Sequence, residues 1–174
     1  MEQFYLKSTK SAMGTEPIFC DADGNLLFET RLTEFIAPMD CCAGTVHLPD
    51  KYRIFGADKT PLTEVTRNKK KMMPEFEARE LGTGNLITTV KKRFSLFALP
   101  IEMTTETGKC KIEGNVFKRK FVVTDANGMS LFSVKPASMP WGESFVIEYD
   151  ANLNAGHVIA TMVLAIESAY YTGN

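Results

Sequence analysis

The chain has 174 residues, of which 44% are hydrophobic, and its formal net charge at pH 7 is -1. This length suits a single domain with a sizeable core, and this hydrophobic content excludes a largely disordered protein. Because the whole chain is close to neutral, no overall field draws it to nucleic acid, and no nucleic-acid partner is expected.

The amino-terminal residues Met1–Phe4 contain no basic segment followed by an apolar run, so the sequence shows no secretory signal. We therefore expect a cytoplasmic protein whose membrane contacts, if it makes any, are peripheral. In a reducing compartment the cysteines are expected to be free thiols rather than a disulfide framework. The cysteines are Cys20, Cys41, Cys42 and Cys110.

The first 150 residues repeat one pattern, in which two β-rich runs flank a turn that contains Gly or Asp. Asp-Gly and Asn-Gly pairs reach positive φ at little cost, as tight hairpins require. Five repeats predict ten strands, and the runs Phe4–Leu6 and Ser144–Glu148 add two more. The predicted hairpins span residues 17–30, 52–66, 76–90, 100–113 and 121–134.

Alternating polarity within the runs predicts a sheet that is wet on one face. Lys109, Lys111 and Glu113 alternate with Cys110 and Ile112. Closing such a sheet removes its edges, and about twelve strands enclose more space than their own side chains easily fill. We therefore predict a mainly β fold, a closed antiparallel barrel of about twelve strands around a hydrophobic helix.

The helix is predicted at about residues 154–171. Between Val158 and Ile166 only Thr161 is polar, so every face of the helix must be covered. The run is shorter than the ~20 apolar residues that span a bilayer. Residues 1–174 are thus expected to form one domain, with this helix at its centre and Asp150, Asn152 or Asn154 as its N-cap.

Two stretches do not follow the hairpin pattern. The run Pro136–Pro140 contains two prolines, and we expect it to be a loop that interrupts the last hairpin. The run Ala37–Gly44 has no readable periodicity.

Four blocks of sequence together resemble the LURP-one-related (YxjI-like) family, and the run Val90–Leu96 adds to the match. The blocks are Lys111–Phe117, Phe121–Gly128, Trp141–Glu148 and Leu164–Glu167. The resemblance implies a Tubby-like, scramblase-like fold, which is a twelve-stranded barrel around a central helix. Tubby domains bind phosphoinositide headgroups, and scramblase-like members associate with membranes. The chain departs from the family pattern at Lys135–Pro140.

No motif in the sequence predicts catalysis, a metal or a cofactor. Asp21–Asn25 begins like a calcium loop, but residue twelve of that loop would be Leu32, so a hairpin turn is favoured. Ser144 lacks the Gly-x-Ser-x-Gly context of a nucleophile elbow. His157 has no assignable catalytic partner, and we expect a hydrogen-bonded structural residue. We therefore expect a non-enzymatic protein.

Cys41 and Cys42 are adjacent and are not in the Cys-x-x-Cys spacing of a metal site. Together with His47 they offer three of the about four ligands that zinc needs. Unreactive, partly buried thiols are the favoured interpretation.

Three basic clusters are the candidate ligand-binding residues. They are Arg67, Lys69, Lys70 and Lys71; Lys91, Lys92 and Arg93; and Lys118, Arg119 and Lys120. Cations beside an anionic membrane each contribute about 1 kcal/mol of attraction. The alternative is that they are solvated hairpin ends or lysines that protect strand edges. Trp141 is expected to pack across the barrel mouth rather than to anchor a ligand.

These observations lead to two expectations for function. The first is a non-enzymatic binding module for anionic phospholipid headgroups or a membrane surface. The alternative is a protein–protein interaction scaffold that uses exposed strand edges. An enzyme of unrecognised type would need a polar cavity with a strongly perturbed titratable group.

Overall fold

The computed structural model describes residues 1–7, 17–34, 51–67, 75–92, 101–116, 118 and 120–170. These residues form twelve strands and one helix. The strands are β1 (Glu2–Lys7), β2 (Ile18–Cys20), β3 (Leu26–Glu34), β4 (Lys51–Gly56), β5 (Pro61–Arg67), β6 (Glu75–Glu80), β7 (Leu86–Lys92), β8 (Ile101–Thr105), β9 (Gly108–Asn115), β10 (Lys120–Thr124), β11 (Ser130–Met139) and β12 (Gly142–Tyr149). The helix is α1 (Ala155–Tyr170).

Every strand pairs antiparallel with its neighbour in sequence, and β1 pairs with β12 to close the barrel. The closing register runs from Glu2 opposite Tyr149 to Lys7 opposite Ser144. The predicted closed barrel of twelve antiparallel strands with a carboxy-terminal helix is confirmed, and each predicted hairpin is present.

The helix α1 fills the barrel along its first half. Its residues from Val158 to Val163 are each at most 5% exposed. Six consecutive helical residues point in all directions around the axis, so the helix is enclosed on every side there. The Asn154 side chain is the N-cap, because its Oδ1 accepts hydrogen bonds from the amides of Gly156 (2.8 Å) and His157 (3.4 Å).

The prediction of a loop at Pro136–Pro140 was wrong. β11 continues to Met139 and stays paired with β12, with Pro136 opposite Phe145 and Met139 opposite Gly142. The pairing of β11 with β10 ends at Val134, so among the described residues Pro136 has a strand on one side only. Proline is tolerated in such an edge segment, where its missing N–H breaks no ladder.

Strict alternation of strand direction sends successive connections to opposite ends of the barrel. We call the end where α1 begins the entry rim; it carries the turns 21–25, 57–60, 81–85, 106–107, 125–129 and 150–154. We call the other end the far rim, where β1, β3, β5, β7, β9 and β11 finish.

Candidate functional site

The described members of all three predicted basic clusters lie at the far rim. Arg67 ends β5, Lys91 and Lys92 end β7, and Lys118 and Lys120 flank the turn between β9 and β10. The remaining predicted residues lie outside the described part of the chain. They are Lys69, Lys70, Lys71, Arg93 and Arg119. Clusters that are far apart in sequence therefore share one end of the barrel.

The entry rim has the opposite charge. Its turns carry many carboxylates and a single lysine, Lys59. The carboxylates are those of Asp21, Asp23, Asp58, Glu106, Asp125 and Asp150. Among the described residues, the turns of the entry rim are thus mainly acidic, whereas the far rim carries the basic residues together with Glu34, Glu75 and Glu143.

The acidic groups of the entry rim belong to tight turns. The Asp21 carboxylate accepts hydrogen bonds from the amides of Asp23 and Asn25, both at 2.9 Å. The side-chain hydrogen bond from Asn25 is the main cause of the lowered pKa of Asp21. Asp125 makes the same kind of turn through the amides of Asn127 and Met129. The predicted hairpin turns are confirmed at both positions.

Cations on the barrel wall are paired with carboxylates. Arg53 Nε lies 2.8 Å from Glu64 Oε2, and Lys109 Nζ lies 2.7 Å from Glu102 Oε1. At the far rim, Lys91 Nζ lies 3.5 Å from Glu75 Oε1. Ion pairing already offsets the charge of these groups, so they attract an external anion less.

Lys118 and Lys120 differ from the wall cations. Both are exposed, and neither makes an ion pair with any carboxylate of the described residues. Their charges are therefore more available to an external anion than the charge of Lys91, which is paired with Glu75.

The described residues of the segment that carries these two lysines make close contacts. Gly114 has φ of 111°, and a Cβ on it would lie 2.5 Å from the carbonyl oxygen of Lys120. Asn115 Oδ1 accepts the amide of Lys118 at 2.9 Å. Val116 points into the core and is 5% exposed. The close approach of β9 and β10 thus requires glycine at position 114.

Trp141 has a packing role on the outer wall. Its Nε1 donates to Ser144 Oγ at 2.9 Å, and its ring meets Tyr5 edge to face at 6.2 Å between centroids. A Cβ on Gly24 would lie 3.1 Å from the indole. Because β2 has only three residues, the wall is short here, and the indole reaches the turn between β2 and β3.

His157 lines a cleft at the entry rim instead of making the expected hydrogen bond. Its buried Nε2 has no hydrogen-bond partner among the described residues, and Glu80 Oε1 lies 3.8 Å away. The same cleft is lined by Thr88 and Thr161, whose hydroxyl oxygens lie 2.6 Å apart. Local sequence patterns did not reveal this cleft, since Thr88 and Thr161 are 73 residues apart.

Cysteine and metal chemistry find little support in the described residues. Cys20 is buried and Cys110 half-buried, and both are free thiols. Burial raises the pKa of the Cys20 thiol, which disfavours the reactive thiolate. Cys41, Cys42 and His47 lie outside the described residues. Within the described ranges, no three His, Cys, Asp or Glu side chains are arranged to hold a metal ion.

No helix among the described residues has the length and apolar character needed to cross a bilayer.

The comparisons with known proteins agree with the observed fold. A model of the LURP-one-related family matches residues 2–166. A crystal structure of a protein from Arabidopsis thaliana superposes with a TM-score of 0.58 at 14% identity, covering 95% of this chain and 89% of that one. No curated protein matches the sequence significantly. The family resemblance predicted from the sequence is confirmed.

Proposed function

Because the chain belongs to the LURP-one-related family, we propose that it is a binding module that docks its far rim onto anionic phospholipid headgroups at a membrane surface. The observation that carries this proposal is the polarity of the barrel: the described cations of three clusters share one rim, and the other rim is acidic.

The expected energy is sufficient for reversible docking. Each Lys or Arg near an anionic leaflet contributes about 1 kcal/mol, so several cations on one rim act together. The same potential repels the acidic entry rim and therefore orients the barrel. Binding of this kind falls steeply with salt, because the attraction is screened within about 10 Å at 0.1 M ionic strength.

The availability of Lys118 and Lys120 supports the same rim. Neither lysine has to break an ion pair with a described carboxylate in order to bind a phosphate, whereas Lys109 would have to leave Glu102. Exposed lysines suit phosphate groups as mobile point charges.

Vesicle co-sedimentation tests the proposal. We expect the protein to pellet with phosphatidylcholine vesicles that also contain phosphatidylserine, whose headgroups create a negative surface potential. It should stay in solution with phosphatidylcholine vesicles alone. Raising the salt should release it. Lys69→Gln/Lys70→Gln/Lys71→Gln should weaken pelleting by about two orders of magnitude, since three cations are lost. Equal pelleting with neutral vesicles would contradict the proposal.

A second candidate function, a protein-interaction scaffold, is favoured by one observation. The segment Lys135–Met139 of β11 pairs with β12 but, among the described residues, not with β10. A one-sided strand segment can accept an extended peptide as a further strand. A stoichiometric protein partner, found together with no binding to anionic vesicles, would favour this function over the first.

A further inference from the structure

The exposed large apolar side chains of the described residues are gathered at one end of the barrel. Each of them is between 36% and 78% exposed. They are Met1 before β1, Leu81 and Leu86 at the turn between β6 and β7, and Met129 in the turn between β10 and β11. All of these positions belong to the entry rim, where β1 also begins. Exposed apolar side chains that cluster within a polar surface indicate an interaction site.

An apolar cleft of about 90 Å³ opens at the same rim. It lies between α1, the turn that joins β8 to β9, and the start of β11. Leu131 and Leu153 line it and are half-buried, whereas Phe132 and Val158 form a buried part of the lining. The volume corresponds to about three water molecules in the liquid, which is close to the size of one leucine or isoleucine side chain.

Two carboxylates stand beside this cleft. Glu106 is exposed and belongs to the lining. Asp150 is adjacent, because its amide donates to the carbonyl oxygen of Leu131 at 3.1 Å and its carbonyl oxygen accepts the amide of Leu153 at 2.9 Å. Neither carboxylate makes an ion pair with a Lys or Arg of the described residues, which include every turn of the entry rim. The surroundings of the cleft therefore favour a positively charged partner.

We propose that the entry rim is a docking surface for a basic segment of a partner protein, which inserts one leucine, isoleucine or methionine side chain into the cleft. Lysines or arginines on either side of this anchor residue face Glu106 and Asp150. The anchor is apolar, so it requires no hydrogen bond from the cleft. An apolar anchor within a polar rim is the usual arrangement of a protein interface.

The exposed apolar residues of the rim can contribute to the same interface. Leu86 is next to the lining residue Ile87, and Met129 is close in sequence to the lining residue Leu131. The aliphatic stems of the flanking lysines can pack on this surface while their charged ends reach the carboxylates. The inference does not depend on membrane binding, because the two rims are at opposite ends of the barrel.

NMR titration of the isotope-labelled protein tests the inference, with the acetylated pentapeptide Lys-Lys-Leu-Lys-Lys as the probe. We expect saturable shifts of the amide signals of Glu106, Leu131 and Leu153, and unchanged signals of Asn115 and Lys118 at the far rim. Lys-Lys-Ala-Lys-Lys should bind about tenfold more weakly, because the burial of the leucine side chain is lost. Glu-Glu-Leu-Glu-Glu should bind more weakly still, because it is repelled by the carboxylates. Equal affinity of the leucine and alanine peptides would overturn the proposal.

Two pairs of protein variants locate the contacts. Leu131→Gln makes the cleft lining polar and should weaken binding of the leucine peptide about tenfold. Leu26→Gln is its control, because Leu26 is also half-buried near the entry-rim end of a strand but does not line the cleft. Glu106→Gln should weaken binding about threefold, whereas Glu143→Gln, which removes the same charge at the far rim, should leave it unchanged.

Urea unfolding checks that each variant is folded, and the peptide series on the wild-type protein tests the inference without them. Equal losses of affinity within either pair of folded variants would overturn the proposal. Saturable shifts of the same amides with phosphatidylcholine micelles but not with the peptide would also overturn it, since the rim would then face a neutral lipid surface. Shifts that depend on protein concentration alone would do the same, because a second copy of the chain would be the occupant.

Discussion

The hydroxyl of Tyr149 donates a 2.6 Å hydrogen bond to Oε2 of Glu2. The two residues are opposite one another in the register of β12 and β1, so this bond joins the last strand to the first. The Tyr149 ring is 6% exposed and lies 5.4 Å from the ring of Phe4. Barrel closure thus rests on a side-chain hydrogen bond as well as on the main-chain ladder.

Tyr149→Phe should destabilise the protein by about 1 kcal/mol at pH 8, because the partly buried hydrogen bond to Glu2 is lost and the ring is kept. Burial, with the hydrogen bond to Glu2, raises the pKa of Tyr149 to about 12. Its contribution is therefore fully present below about pH 10, the usual tyrosine pKa, and is lost as pH rises toward 12. Urea unfolding at pH 8 and pH 11.5 should show the difference between wild type and variant shrinking. An equal difference in unfolding free energy between wild type and variant at both pH values would contradict this role of the Tyr149 hydroxyl.

Met162→Ala should destabilise the protein by about 2–5 kcal/mol, because it opens a cavity in the barrel centre. Met162 is 0% exposed on α1. Met129→Ala is the matched control, since Met129 is 62% exposed in an entry-rim turn and its loss should change stability by less than about 0.5 kcal/mol. Chemical denaturation measures both. Similar effects of the two substitutions would mean that α1 is peripheral.

Gly114→Ala should destabilise the protein by at least about 2 kcal/mol, because its φ of 111° disfavours a side chain and the new Cβ would clash with Lys120 main chain. Gly82→Ala provides the comparison, since a Cβ there meets nothing within 4 Å. That substitution should be neutral or slightly stabilising. Thermal unfolding of both variants measures the contrast. An undisturbed Gly114→Ala protein would show that the turn is looser than described.

Glu148→Gln should reduce stability at pH 7 by less than about 1 kcal/mol, as expected for a partly exposed ion pair. The hydrogen bond from Lys135, with a second one from Ser133, lowers the pKa of Glu148. Its contribution is present above about pH 4.3, the unfolded value, and is lost as pH falls through the lower folded pKa. Urea unfolding at pH 7 and pH 2.5 should show the wild-type advantage disappear in acid. A constant advantage would rule this pair out as a source of acid sensitivity.

Much of the fold was predictable because its signals are local. Turns such as Asp125–Gly128 combine an aspartate that accepts backbone amides with a glycine at positive φ, and both properties can be read from four residues. The apolar run of α1 likewise shows its burial directly, since no face of it is polar. Ten strands were predicted from such turns, and β1 and β12 were predicted from the β-rich runs Phe4–Leu6 and Ser144–Glu148.

The features that were missed depend on distant partners. Pro136 was expected in a loop, but β12 continues alongside it, while the pairing with β10 stops at Val134. Thr88 and Thr161 meet only because α1 passes β7 inside the closed barrel. Contacts between residues that are far apart in the chain leave no signature in a short stretch of sequence.

The common location of the basic clusters had a signal that strand counting could have found. Arg67, Lys92 and Lys118 follow or end strands β5, β7 and β9, and connections after odd-numbered strands of an up-and-down barrel meet at one rim. How strongly these cations attract an anionic surface also depends on whether they are paired with carboxylates, and the sequence does not show this pairing. Lys91 and Lys109 are paired, and Lys118 is not paired within the described residues.

One comparison of two double variants tests the central claim most directly. Lys118→Gln/Lys120→Gln neutralises two cations of the far rim. Lys109→Gln/Lys111→Gln removes the same charge from β9, where both lysines are paired with carboxylates and Lys109 lies beside the entry rim. Partitioning onto phosphatidylserine vesicles is measured for each.

Docking through the far rim predicts that the first variant loses about thirtyfold in partition coefficient, as two cations at about 1 kcal/mol each imply, and that the second loses less than about threefold. Equal losses would contradict it, because they would mean that only net charge matters and that the barrel has no binding face.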